Sequence, residues 1–185
     1  MGGNRRSEGV SEAAGTFYSE RMHDSGIEPL FIDEPAHSPG DLPAEQQTVW
    51  QELLSVALRL PTALEAGLRH RNDLALNDYL VLSLLAGAPS VSLRMTTLAQ
   101  VSNQSGARTT QLVGRLELRG LVERRTGDVD GRAIVATLTA DGLALLEAAS
   151  PAYAKDVQAR VFDNLTAEQV EQLRTIVAAI DTSLR

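Results

Sequence analysis

From Pro43 onward the apolar positions of the chain fall into helical steps. Trp50, Leu53, Ala57, Leu60, Leu64 and Leu68 recur at spacings of three and four, which places them on one face of a helix. Pro43 suits the first turn of that helix. Pro61 lies inside the pattern and is expected to kink or split it, because proline has no amide donor and crowds the preceding turn. Asn77 is expected to cap a second helix. The run Tyr79-Leu80-Val81-Leu82-Ser83-Leu84-Leu85 is apolar nearly all round, as in a helix buried on every side, and Gly87-Ala88-Pro89 ends it.

The middle of the chain changes period twice. Thr96 or Thr97 is expected to cap a short helix through Leu98-Ala99-Gln100-Val101, and Asn103-Gln104-Ser105-Gly106 has the composition of a turn. A helix follows from Ala107 to Arg119. Leu112, Val113 and Leu116 lie on one side of it and Arg108, Gln111 and Arg115 on the other, and Gly120 is the natural residue just past its end. Leu121 to Arg125 then reads as a strand, residues 126–131 as a turn, and Arg132 to Leu138 as the returning strand of a hairpin. Thr139 starts another helix through Leu145, Leu146 and Ala149, which Pro151 is expected to bend or interrupt before Tyr153, Val157 and Val161. Thr166-Ala167-Glu168-Gln169 is a capping box. It opens a last helix whose Val170, Leu173, Val177, Ile180 and Leu184 form a seam like that of a coiled coil.

The first 42 residues follow no period. They hold six glycines and three prolines, and are expected to form a flexible arm. Leu30-Phe31-Ile32 is the one apolar knot there, either a docking segment or a chance cluster. The expected organisation is an arm over 1–42 and one domain over 43–185.

Composition narrows the chemistry. The 185 residues include no cysteine, which excludes disulfide frameworks, Cys-ligated zinc and thiol redox sensing. No run of eighteen apolar residues marks a transmembrane helix, and the N-terminus lacks the apolar core of a signal peptide, so a cytoplasmic protein is expected. The net charge of −7 argues against a general nucleic-acid binder, but its distribution reverses that argument. Residues 92–139 carry +3, whereas 1–46 carry −6, 47–91 carry −1 and 140–185 carry −3. A duplex senses the nearby field, so one basic segment between acidic ends is compatible with phosphate binding, and equally with a solvated face.

A short helix, a tight turn, an amphipathic helix and a hairpin, in that order, make a winged helix-turn-helix over about residues 77–139. The fold class is mainly α with a small β-hairpin wing. The second helix is expected to expose Arg108, Thr109, Thr110, Gln111 and Arg115 toward the major groove. There Arg pairs with guanine, Gln with adenine, and Thr reaches phosphate or a thymine methyl. Thr97 belongs to the same expected DNA surface. Arg132 near the hairpin tip is expected in the minor groove, with Asp130 holding it in place.

The segment also resembles the MarR family (multiple antibiotic resistance regulators), over about residues 46–183. The resemblance rests on Leu98-Ala99, on the run from Leu112 through Gly120 to Arg125, on Asp130 and Arg132 in the wing, and on Leu138-Thr139-Ala140-Asp141-Gly142. It implies a homodimeric, ligand-responsive transcriptional repressor that binds double-stranded DNA. Three positions depart from the family pattern. Gln111 stands where Arg or Lys is usual, Gly114 where an acid or Asn is frequent, and Gly131 inside a wing motif that usually reads Asp-Arg-Arg, so one wing contact is expected to be lost.

The family implies a dimer built from the first and last helices, about residues 43–72 and 140–185. The apolar seams support it independently, through Leu53 and Leu60 at one end and Val170, Leu173, Val177, Ile180 and Leu184 at the other; packing within the monomer is the alternative. The resemblance further implies a small aromatic or phenolic effector in a cleft, for which Trp50, Arg59, His70 and Tyr79 are candidates alongside plain core or surface roles. His23, His37 and His70 show no ligand spacing, so no metal is expected, and no cofactor either. No nucleophile triad, phosphate loop or HExxH pattern supports an enzyme, and acid pairs such as Asp128 and Asp130 fall on a turn. A winged helix used only for protein contacts, with DNA binding lost, remains the alternative function.

Overall fold

The computed structural model describes residues 42–127 and 133–184. The chain divides into two units, residues 1–48 and 49–185. In the first, the described residues begin a helical turn, with the Gln47 amide donating to the Pro43 carbonyl at 3.0 Å.

The first helix, α1, spans Ala44–Asn72 and includes Pro61. It is not split: proline removes a single backbone hydrogen bond, and the turns on either side continue. Arg69, His70 and Arg71 occupy its last turn, where the helix dipole favours cations. The second helix, α2, spans Leu76–Ala86 and buries Asp78, Tyr79, Val81, Leu82 and Leu85. Its cap residue is Ala75, not Asn77, and no side chain caps it. The Leu76 amide instead donates to the Glu65 carboxylate of α1 at 3.2 Å, so a tertiary contact replaces the local cap.

A single 3₁₀ turn over Pro89–Val91 leads into a short strand, β1 (Ser92–Arg94). Helix α3 spans Met95–Val101 with Arg94 at its cap position, so Thr96 and Thr97 lie inside its first turn. Asn103 turns the chain in the left-handed region at φ 54°, a conformation Asn tolerates better than most residues. Helix α4 then spans Gly106–Leu118, and the Ser105 hydroxyl accepts the Arg108 amide at its start. It ends at Gly120, with φ 72°. The Leu121 amide donates to the Leu116 carbonyl and the Gly120 amide to that of Glu117, which together close a Schellman motif.

Strands β2 (Val122–Thr126) and β3 (Ile134–Leu138) form the expected hairpin, each one or two residues shorter or shifted at its ends. The sheet has three strands rather than two, in the order β1-β3-β2, all antiparallel. Ser92, Leu93 and Arg94 pair with Thr137, Ala136 and Val135, and the Ser92 hydroxyl donates to Thr137 Oγ1 at 2.9 Å. Three residues are too few to show a period of two. The free edge of β3 makes β1 a strand.

Helix α5 spans Ala140–Arg160 and passes over Pro151 without a break. After a 3₁₀ turn at Phe162–Asn164, helix α6 spans Ala167–Ser183, opened by the reciprocal Thr166–Gln169 capping box. The core gathers side chains from α1 through α5: Leu68, Leu82, Leu85, Leu98, Val113, Leu116, Val122, Ala136 and Ala149 are 0–2% exposed. Helix α6 contributes no buried residue.

Candidate nucleic-acid interface

The amphipathic helix α4 owes its orientation to Thr109, Leu112, Val113 and Leu116, which fall at helical spacing and are 0–4% exposed. Thr109 is therefore on the inner face, contrary to the expectation that the helix exposes it. Its hydroxyl donates to the Ser105 carbonyl at 3.0 Å. Spacings of three, four and seven to Leu112, Val113 and Leu116 are the sequence signal that places it there. Arg108, Thr110 and Gln111 are exposed, and Thr97 in α3 is half-buried. Thr110 is locally engaged, its hydroxyl donating to the Gly106 carbonyl at 2.9 Å. Asp130 and Arg132 lie outside the described residues.

Arg115 is exposed, but it is not free. Its Nη2 donates to Oδ1 of Asp78 at 2.5 Å, and the Asp78 side chain is only 4% exposed. An acid inside an otherwise apolar helix such as α2 demands a partner. That demand is the signal sequence reading passed over, and α4 meets it. Two further ion pairs brace the surroundings. The Glu117 carboxylate receives the Arg124 backbone amide at 3.2 Å and its Nε at 2.8 Å, tying α4 to the first strand of the wing. The Arg124 guanidinium holds the Glu117 carboxyl below the ordinary glutamate value. Glu65 pairs with Arg69 at 2.7 Å, which holds its carboxyl down in the same way.

A third brace fixes the start of α5 against the wing. The Thr139 hydroxyl donates to the Gly120 carbonyl at 2.7 Å and accepts the Gly142 amide at 3.0 Å. A Cβ on Gly142 would overlap the Leu121 carbonyl oxygen and press on Leu138. The Leu-Thr-x-x-Gly run is thus a packing device that seats α5 on the end of α4.

A polar cavity of about 600 Å³ opens where α1 and α2 meet α4, lined by Glu65, Arg69, Asp73, Asp78, Arg108, Arg115 and Arg119 among others. None of the four effector candidates lines it. Trp50 and His70 both lie on the unbroken α1, twenty residues and so about 30 Å apart. One chain therefore does not bring them to a single cleft. Tyr79 is buried, its ring centroid 4.3 Å from that of Tyr153 and its hydroxyl 3.2 Å from Ser150 Oγ. Arg59 and His70 are exposed and Trp50 is half exposed.

The residues expected in a dimer interface lie open. Leu53 is 45% exposed, and Leu173, Val177, Ile180 and Leu184 are 37–79% exposed, while Leu60 and Val170 are half-buried. Trp50, Leu54, Val56 and Leu58 extend the open apolar surface along α1. Among the described residues, no cluster of three or more His, Cys, Asp or Glu is placed to hold a metal ion, and no helix is long and apolar enough to cross a membrane.

The family model of the MarR family matches residues 72–133. The curated proteins hold no match to the sequence. Among solved structures, Sco3205, a MarR family transcriptional regulator from Streptomyces coelicolor in complex with DNA, is 33% identical, with a TM-score of 0.76 over 78% of this chain and 94% of that one. AbsC, a MarR family transcriptional regulator from the same organism, is 30% identical, with a TM-score of 0.75 over 78% of this chain and 97% of that one. A mutant of MarR from E. coli complexed with operator DNA shares the fold at 24% identity, with a TM-score of 0.67 over 76% and 98% of the two chains. Helix order, the sheet-borne wing and the relationship to Sco3205 and AbsC agree, and the chain belongs to the MarR family of transcriptional regulators.

Proposed function

We propose that the protein is a homodimeric, sequence-specific DNA-binding regulator, a repressor that releases its operator when a small aromatic or phenolic effector binds. The observation that carries the reading is the exposed face of α4. Arg108, Thr110 and Gln111 stand on a helix capped by Ser105 and braced on both flanks by ion pairs, and a relative of the same fold was solved on DNA. A recognition helix of this kind enters the major groove through its N-terminal half. Thr97 and Arg115 join it at the rim, and Arg132 and Asp130 of the wing serve the minor groove. Thr109 has no part in this surface.

The dimer reading rests on the apolar faces of α1 and α6, which are exposed among the described residues. Seams of this length are typical of obligate interfaces. A two-fold protein matches a palindromic operator whose half-sites lie about one helical turn apart. In domain terms, 43–72 and 140–185 supply the dimer and about 77–139 the winged helix, while the arm expected over 1–42 lies, but for Leu42, outside the described residues.

Fluorescence anisotropy against the duplex upstream of the protein's own gene, at several salt concentrations and with a scrambled duplex as control, tests the reading. Tight, steeply salt-dependent and sequence-selective binding is expected. Equal affinity for both duplexes would contradict sequence-specific regulation at that operator.

A further inference from the structure

The ion pair between α2 and α4 bears on which bases the protein reads. Positions 107, 111, 114 and 118 follow one another at spacings of four, three and four, and so form one line along α4. That line lies opposite the buried Thr109, Leu112, Val113 and Leu116. It comprises exposed Ala107, exposed Gln111, Gly114, whose missing Cβ would meet nothing within 4 Å, and Leu118, 91% exposed. Gln111 is the sole member of the line whose side chain offers a hydrogen bond. Arg115 stands one position off it, and its guanidinium is anchored to the carboxylate of Asp78, a residue 2% exposed.

From this geometry we infer that Asp78 determines specificity without touching DNA. By retaining the Arg115 guanidinium it keeps that side chain from guanine, and leaves base discrimination along this line to Gln111. Arg115 would read guanine through two donors aimed at O6 and N7, whereas a Gln amide offers one donor and one acceptor and matches adenine N7 and N6. To take up the guanine geometry Arg115 must leave a carboxylate whose side chain is only 4% exposed and whose ion pair within hydrogen-bond distance, among the described residues, is with Arg115. Asp78 is thus a positioning residue acting through Arg115. The inference rests on the DNA-binding reading above and assigns that surface an adenine-reading centre.

The test is selection of binding sites from a randomised duplex library, using the full chain, the Asp78→Asn and Gln111→Ala variants, and the double variant Asp78→Asn/Arg115→Ala. Thermal melts check that each is folded. The unmodified protein is expected to enrich adenine at one position of each half-site. Gln111→Ala should lose that preference by about tenfold or more. Asp78→Asn should gain guanine at a neighbouring position, and the double variant should lose the guanine again while keeping the adenine. A merely structural role for Asp78 would lower affinity without moving base preference. If Asp78→Asn does not fold, Asp78→Asn/Arg115→Gln, which removes both charges together, should keep the adenine preference unchanged. Guanine enriched by the unmodified protein at the position controlled by Arg115, or base preferences identical in all folded variants, would overturn the role of Asp78 alone. Enrichment of no sequence by the unmodified protein would overturn the DNA-binding reading with it.

Discussion

Arg115 Nη2 sits 2.5 Å from Asp78 Oδ1, and the two partners differ in exposure: 54% of the arginine side chain meets solvent against 4% of the aspartate. The pair is therefore asymmetric in energy. Removing the arginine strands a buried carboxylate. Removing the aspartate releases a cation that turns to water. Breaking a buried pair by deleting one partner costs about 3–5 kcal/mol, and the solvated arginine end puts this pair near the lower figure. A good bidentate base contact is worth about 1–3 kcal/mol. The carboxylate therefore outcompetes or matches a base edge for the guanidinium.

Arg115→Ala should accordingly destabilise the fold by about 3 kcal/mol. Asp78→Asn, which retains a hydrogen-bonding group, should cost less, about 1.5–3 kcal/mol. Chemical denaturation of the two variants checks the order. An Asp78→Asn variant less stable than Arg115→Ala would contradict the asymmetry.

Gly142→Ala should be poorly tolerated. The added methyl meets the Leu121 backbone carbonyl, not the end of a flexible side chain, so α5 must shift on its seat. Overpacking of this kind costs about 1–3 kcal/mol. Gly114→Ala meets open space, and should gain up to about 1 kcal/mol from helix propensity. Thermal melts of the two variants should move in opposite directions.

Val177→Asp and Ile180→Asp place charge on an α6 face that is 54% and 42% exposed in one chain. If that face is intermolecular, each variant should be monomeric by light scattering and retain its helical circular dichroism. A dimer that survives both substitutions would refute the proposed interface.

The Glu117–Arg124 pair gives the junction of α4 and wing an acid sensitivity. The folded carboxyl titrates below its unfolded value. Its contribution is therefore complete above the ordinary glutamate range, and is lost as pH falls through the depressed folded value. The protection of the Arg124 amide, its exchange rate divided into the intrinsic rate at each pH, should fall on acidification across that window, because its backbone N–H donates to Glu117. Glu117→Gln should flatten the dependence.

Much of the architecture was legible in the chain. The α1 face from Trp50 to Leu68, the Thr139 and Thr166 caps, the Gly120 stop and the switch from helical period to alternation at Leu121 all act within a few residues. Such signals survive in a linear reading because hydrogen bonds and side-chain faces repeat locally. Thr109 was legible in the same way, at steps of three, four and seven from three buried neighbours. Pro61 and Pro151 do not split their helices, because a proline deletes one local bond and a long helix with tertiary support absorbs the loss.

What the tertiary structure alone decided are relations between distant residues. Asp78 and Arg115 are 37 positions apart, and Ser92 meets Thr137 across 45. β1 is a strand only because β3 lies beside it, and α2 starts at Leu76 because Glu65 reaches its first amide. The sequence by itself determined the helices and the two hairpin strands, and that a winged helix results, since those follow from periodicity and caps. Which arginine on α4 stays available to a partner depends on where a buried carboxylate lands once the helices pack. No local pattern encodes that position, because it is set by the packing of the whole core.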